Sequence, residues 1–93
     1  MSKLDDFYKK LKYSLEETTE FPSKYMYKFI IPNEDDKIKA IEDVFDHSGA
    51  VIESKPSKTG KYLSLTILVN LKSADEVIEK YREVGKVEGV ISL

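Results

Sequence analysis

The sequence predicts a single α+β domain in which helices cover one face of a four-stranded antiparallel sheet. Three observations predict this class: one strictly alternating segment, a strand–helix pattern that recurs forty positions later, and an amphipathic helix that precedes both copies. In the alternating segment, residues 61–71, one face is apolar throughout: Leu63, Leu65, Ile67, Val69 and Leu71. The other face carries Tyr62, Ser64, Thr66 and Asn70, with Leu68 as its one aliphatic residue. A strand of this kind has one buried and one solvated face, as in antiparallel sheets that are covered on one side.

Two copies of one strand–helix unit follow each other along the chain. Each copy changes from a hydrophobic period of two to a period of 3.6 at the same point. The matched positions are Ile31 with Leu71, Asn33 with Ser73, Asp36 with Glu76, Ile38 with Ile78, Ile41 with Tyr81, and Val44 with Val84. Two βαβ units in tandem, in the order β-α-β-β-α-β, predict the ferredoxin-like split fold. Right-handed crossovers then place both repeat helices on the same face of the sheet.

The N-terminal part predicts a helix followed by the first strand. Apolar residues recur at helical spacing at Leu4, Phe7, Tyr8, Leu11 and Leu15. Ser2 with Asp5 three residues later has the form of a capping box, and residues 18–23, with Phe21-Pro22, end the helix. A strand is predicted over residues 24–31.

The two repeat helices and the remaining strands follow from their cap and turn residues. Asn33 is the predicted N-cap of the second helix, which ends at Ser48-Gly49. A hairpin is predicted with strands over residues 50–55 and 61–71. Ser73 is the predicted N-cap of the third helix, Gly85 ends it, and residues 87–93 form the last strand. The predicted core is Phe29, Ile38, Ile41, Phe45, Leu65, Ile67, Ile78, Tyr81 and Ile91.

Composition narrows the functional classes. The 93 residues are 41% hydrophobic and 34% charged, as expected of one globular domain, with a net charge of −2 and interleaved signs. This charge gives no general attraction to nucleic acid or to acidic membranes. There is no cysteine, and therefore no disulfide, thiolate chemistry or zinc–cysteine site. We expect a cytoplasmic protein, with residues 1–19 as an N-terminal amphipathic helix and residues 20–93 as the ferredoxin-like domain.

One set of motifs carries a family resemblance over residues 20–93. The most specific is the string Lys55-Pro56-Ser57 followed by Gly60, Tyr62 and Ser64. Glu20-Phe21-Pro22, Tyr27-Lys28, and Tyr81 ahead of Val84-Gly85-Lys86 accompany it. Together they resemble the bacterial YbeD-like family of unknown function. The resemblance implies a small cytoplasmic domain similar to the ACT regulatory domain, without an established activity. It assigns no role to the long N-terminal helix.

The candidate chemical sites have simpler structural explanations. His47 with Asp43 one turn earlier supplies only two metal ligands, and a histidine near a helix C-terminus interacts with the helix dipole. Glu34, Asp35 and Asp36 are acids in the first turn of a helix, where the dipole favours them without any catalytic role. No nucleophile–base pair, metal set or phosphate loop is recognisable. We therefore expect a protein that is not an enzyme and that has no catalytic residue, cofactor or metal.

The basic hairpin turn and the uncovered sheet face are the predicted interaction surface. The candidate residues are Lys28, Lys55, Ser57, Lys58, Gly60, Lys61, Tyr62 and Ser64. A solvated hairpin tip, with lysines that discourage edge pairing, is the competing explanation for the turn. Alternation assigns to the uncovered face Lys24, Met26, Lys28, Ile30, Val51, Glu53, Lys55, Tyr62, Ser64, Thr66, Leu68, Val90 and Ser92. Apolar residues among lysines and hydroxyls are typical of a docking surface.

The leading functional prediction is a non-catalytic regulatory or protein-interaction module, which associates with an unidentified protein partner or with itself. The alternative is an ACT-like domain that senses a small molecule, although the loop Ile31-Pro32-Asn33-Glu34 lacks the glycine that lets a ligand approach the backbone. RNA binding is less favoured, because the sheet lacks the stacking aromatics and the RNP1 pattern of RNA-recognition domains. The N-terminal helix, with Leu4, Phe7, Leu11 and Leu15, is expected to lie against the domain or against a second copy of it. One alternative is that it covers the open sheet face.

Overall fold

The computed structural model describes residues 3–46 and 49–93, except for the side chain of Leu4. Its helices are α1 (Lys3–Thr18), α2 (Asp35–Val44) and α3 (Ala74–Val84). Its strands are β1 (Ser23–Pro32), β2 (Val51–Pro56), β3 (Tyr62–Leu71) and β4 (Ile91–Ser92). After α1, the described elements follow the predicted β-α-β-β-α-β order.

The four strands form one antiparallel sheet in the order β2-β3-β1-β4. The central pair, β1 with β3, is in register from Ser23 opposite Leu71 to Pro32 opposite Tyr62. β2 pairs with the other side of β3, from Val51 opposite Leu68 to Pro56 opposite Leu63. This topology confirms the predicted ferredoxin-like fold and the predicted hairpin.

The core lies between the sheet and the helices. Tyr27 and Ile31 on β1 and Ile67 on β3 are fully buried, as are Ile41 on α2 and Val77 on α3. Six of the nine predicted core residues are buried: Phe29, Ile41, Phe45, Leu65, Ile67 and Ile78. Ile38 and Tyr81 are half-buried and pack against the same cluster. The alternation of β1 and β3 therefore identified the covered face correctly.

Helix α1 packs against α3, on the side of the sheet that the helices cover. Tyr8 and Leu15 are buried in the common core, and Leu11 packs against it. Two ion pairs join the helices, between Lys12 Nζ and Asp75 Oδ1 at 2.9 Å and between Arg82 Nη1 and Asp5 Oδ1 at 3.1 Å. The helix therefore lies against the domain, as expected, but the alternative that it covers the open sheet face is wrong. Helical spacing revealed an apolar stripe on α1 but not which surface complements it.

The start of α2 also differs from the prediction. Its N-cap is Glu34, whose side chain makes no capping hydrogen bond, and the helix begins at Asp35. Asn33 is one position earlier, and its amide Nδ2 donates to the carbonyl of Gly60 at 3.0 Å. At α3 the prediction is confirmed, since Ser73 Oγ accepts from the backbone N–H of Glu76 at 3.3 Å. The end of α2 differs as well, since the helix ends at Val44 with Phe45 as its C-cap and not at Ser48-Gly49. The predicted roles of Ser2 and His47 lie outside the described residues.

The last strand is shorter than predicted and its faces are exchanged. Only Ile91 and Ser92 pair with β1, while residues 85–89 form turns. Ile91 lies opposite Ile30 and is 52% exposed on the open face, whereas Ser92 lies opposite Phe29 on the helix-covered side. The placement of Ile91 in the core, and of Val90 and Ser92 on the open face, is therefore wrong. A change of one residue in register moves every side chain of a strand to the other face.

This corrected register predicts a small effect of mutation at Ile91. Ile91→Ala should lower the free energy of unfolding by less than about 1 kcal/mol, because the side chain is already half in water. Phe29→Ala, at the adjacent buried position of β1, should cost about 3–5 kcal/mol. Urea denaturation of both variants measures the difference. Equal losses would show that Ile91 points into the core.

Candidate interaction surface

The sheet face opposite the helices carries cross-strand rows of side chains, and we call it the open face. One apolar row runs from Val51 through Leu68 to Met26, across β2, β3 and β1. Val51 is 57% exposed and Met26 is 51% exposed. Since no described helix lies over this face, its apolar side chains are available to a partner.

Polar and charged rows flank this apolar row. Glu53, Thr66 and Lys28 form the next row, and Lys55, Ser64, Ile30 and Ile91 form the one after it. Lys24, opposite Asn70, lies beyond the apolar row on its other side. The three strand lysines outnumber the one glutamate on the open face, although the chain as a whole has a net charge of −2. The face is therefore locally cationic.

Ser57 closes the hairpin that borders the open face. Its backbone N–H donates to the carbonyl of Tyr62 at 2.9 Å, and its Oγ accepts from the Tyr62 N–H at 3.2 Å. Its carbonyl accepts from the N–H of Gly60 at 3.0 Å, which completes a four-residue turn. Gly60 has φ +75°, a left-handed conformation that favours glycine over residues with a side chain. The sequence motif Ser57-x-x-Gly60-x-Tyr62 is thus a turn-forming motif.

The hairpin is attached to the loop between β1 and α2 by Asn33. Its backbone N–H donates to the carbonyl of Lys61 at 2.9 Å, in addition to the side-chain bond to Gly60. These two bonds fix the tip relative to the central strand, so that the lysines of the tip project from an anchored turn.

Four predicted site residues surround one shallow depression of about 310 Å³ at the base of the hairpin: Lys55, Ser57, Tyr62 and Ser64. Ile30 and Pro56 complete its wall. Lys28 lies outside it, one row away on β1, and Lys58, Gly60 and Lys61 are exposed at the tip. The structure thus brings together half of the predicted set. Ile91 was missed on this face, because the adjacent apolar residues Val90 and Ile91 give no alternation from which to assign it.

The tyrosines beneath the sheet form a structural cluster. Tyr27 Oη donates to the carbonyl of Val77 at 3.0 Å, and the Tyr25 and Tyr81 hydroxyls are 2.9 Å apart. Burial raises the pKa of Tyr27 and of Tyr81 above the ordinary tyrosine value. Both phenols therefore stay protonated at physiological pH, where they act as hydrogen-bonding groups and not as bases.

Within the described ranges, 3–46 and 49–93, no three histidine, cysteine, aspartate or glutamate side chains are grouped so that they could hold a metal ion. None of the helices described there has the length and apolar character needed to cross a membrane.

Comparisons with known proteins agree with this geometry. The sequence pattern of the family described as "Protein of unknown function (DUF493)" matches residues 16–93, which confirms the YbeD-like resemblance. The solution structure of protein HP0495 from H. pylori is similar, with a TM-score of 0.67 and 20% identity, over 82% of this chain and 86% of that one. At this identity the similarity shows the fold alone. A search of curated proteins finds no match.

Proposed function

We propose that this chain, which belongs to the DUF493 family of proteins of unknown function, is a non-catalytic interaction module that binds a cytoplasmic protein through its open face. The observation that supports this most directly is the uncovered row Val51, Leu68 and Met26 between rows that contain lysines. Exposed apolar side chains mixed with charges are a common feature of surfaces that bind proteins reversibly.

The charge of the open face indicates the kind of partner. Lys24, Lys28 and Lys55 are exposed, and none forms an ion pair with another described residue. An acidic partner surface would supply complementary charge, accelerate association and make binding weaker as salt increases. We therefore propose an acidic protein surface as the partner. The hairpin residues Ser57, Tyr62 and Ser64 would border the contact.

A matched pair of charge reversals tests this function. Lys55→Glu changes the open face, and Lys39→Glu makes the same chemical change on an exposed position of α2 on the helix side. Each immobilised variant and the wild type are incubated with native cytosol at low salt. We expect the wild type and Lys39→Glu to retain the same protein, and Lys55→Glu to retain about tenfold less of it.

Two results would contradict the proposal. One is equal recovery of the retained protein with Lys55→Glu and Lys39→Glu, which would place the contact elsewhere. The other is the absence of any protein retained by the wild type above the empty matrix. Circular dichroism of both variants serves as the control that their fold is intact.

The depression at the hairpin favours the sensor as a second candidate. About 310 Å³ beside Lys55 and two serine hydroxyls is enough for a small anion or metabolite. A ligand bound only to the native state raises the melting temperature, so a thermal-shift screen of anionic metabolites separates a sensor from a docking module.

A further inference from the structure

β1 has an edge that the sheet leaves mostly unpaired. The strand has ten residues, Ser23–Pro32, yet β4 pairs only with Phe29 and Ile30. The Leu93 N–H adds a bond to the carbonyl of Lys28 at 2.9 Å. Residues 23–27 therefore have no described strand beside them on this edge, although they are fully paired with β3 on the other.

The backbone groups at this edge can be identified from the pairing. In an antiparallel pair, alternate residues direct both their N–H and their C=O to the same neighbour. Lys28 directs its carbonyl to the β4 side, so Lys24 and Met26 direct their backbone groups to the same edge. The Lys24 carbonyl has a long contact with Ser23 Oγ at 3.4 Å, a weak substitute for a strand bond. The edge thus offers donors and acceptors at the spacing of a strand.

An apolar cavity of about 460 Å³, which we call the α1 cavity, lies on the helix-covered side where Phe29 of β1 pairs with Ser92 of β4. Its walls are formed by Phe7 and Leu11 of α1, Tyr81 and Val84 of α3, Phe29 of β1 and Ser92 of β4. Phe7 is 59% exposed at its rim. An antiparallel strand that continues the line of β4 beyond Leu93 would place its first residue opposite Tyr27, on the helix-covered side and two positions beyond Ser92. That residue would enter the cavity.

The side chains along this edge indicate which residue types an added strand would carry. Lys24 and Lys28 flank Met26 on the open face, and no acid is opposite either of them on β3. A second copy is a poor occupant. Leu93 already lies opposite Lys28, so the free residues 23–27 allow a two-fold pair centred on Tyr25, in which Lys24 of each copy is a diagonal neighbour of Lys24 and Lys28 of the other. Glutamates opposite Met26 and Lys24 would instead place negative charge beside both lysines.

We propose that residues 23–27 of β1 bind an extended acidic–apolar segment of a partner protein as an added antiparallel strand, with apolar side chains toward the α1 cavity and acidic side chains toward Lys24 and Lys28. This rests on the proposed function as an interaction module and specifies how the partner is bound. Main-chain bonds along the edge supply affinity, and the cavity with the two lysines supplies selectivity.

The test uses the full chain and the acetylated, amidated peptide TVEVEVT, titrated by calorimetry and by amide NMR. In the proposed register the two glutamates lie opposite Met26 and Lys24 and donate their backbone N–H groups to β1, whereas the N–H of the valine between them points away from β1. N-methylation of both glutamate nitrogens should therefore abolish binding, whereas N-methylation of the valine between them should not. The charge-reversed peptide TVKVKVT should bind at least about tenfold more weakly.

Variants of the protein complete the design. The double variant Lys24→Glu/Lys28→Glu should bind TVEVEVT at least about tenfold more weakly than the wild type, while Lys39→Glu should bind it with unchanged affinity. Amide exchange at Lys24 and Met26 should slow when the peptide binds. Absence of TVEVEVT binding, or equal binding of the glutamate-methylated peptide, would overturn strand addition. If strand addition fails while Lys55→Glu still reduces partner recovery, the proposed function stands. If the peptide binds and Lys55→Glu has no effect, the open-face proposal fails instead.

Discussion

Replacing Leu65 or Ile67 of β3 by alanine should lower the free energy of unfolding by about 2–5 kcal/mol. Leu65 is 1% exposed and Ile67 is fully buried between the sheet and the helices. Removal of either side chain leaves a cavity that the surrounding strands and helices can fill only in part. Urea denaturation monitored by circular dichroism measures the loss.

The matched control is Leu68→Ala, which removes the same atoms from a half-buried position on the open face of β3. Its cost should be clearly smaller than that of Leu65→Ala. If both core variants lose less than about 1 kcal/mol and Leu68→Ala loses more, the two faces of β3 are inverted, because one step in register exchanges them.

Deletion of residues 1–19 should leave the sheet domain folded and change its association. Of the buried core residues that the structure describes, only Tyr8 and Leu15 belong to α1; the others, among them Tyr27, Ile41 and Val77, belong to the part of the chain that remains. Loss of Tyr8 and Leu15 uncovers part of α3 and opens the α1 cavity. We expect retained circular dichroism, with altered oligomeric state in light scattering or reduced partner recovery.

Full-length Tyr13→Ala is the control, because this α1 side chain is 58% exposed and lies outside the buried cluster. It should behave as wild type in every assay. A truncated chain that is folded, with unchanged oligomeric state and unchanged partner recovery, would make α1 a passive extension. A truncated chain that does not fold would show that the domain needs α1 for folding and that residues 20–93 are not a domain by themselves.

The fold was predictable where local pattern and tertiary packing agree. In β3, every second side chain is apolar and is buried beneath the helices along the whole strand. Ser73 has a side chain that caps α3, and it directly precedes the apolar stripe of that helix. The position of α1 was not predictable, because it depends on ion pairs and on the Tyr8–Arg82 contact across a helix interface distant in sequence. Asn33 had the residue type of a cap, yet its amide is used to hold the hairpin.

The candidate surface was predicted in part for the same reason. Lys55, Ser57, Tyr62 and Ser64 belong to one hairpin, so their proximity follows from sequence neighbours. The unpaired edge of β1 and the α1 cavity depend on where β4 ends and where α1 packs. Neither feature has a sequence pattern, because both arise from what lies beside a strand and not from the strand itself.

Hydroxyl-radical footprinting of the complex retained from cytosol is the most direct test of the open face as the binding surface. Met26 and Tyr62 are the exposed, reactive side chains on that face, at 51% and 48%, and Tyr13 of α1 is the internal reference. We predict that the oxidation of Met26 and Tyr62 falls in the complex while that of Tyr13 stays constant. Protection of Tyr13 with unchanged oxidation of Met26 and Tyr62 would contradict the proposal that the open face binds the partner.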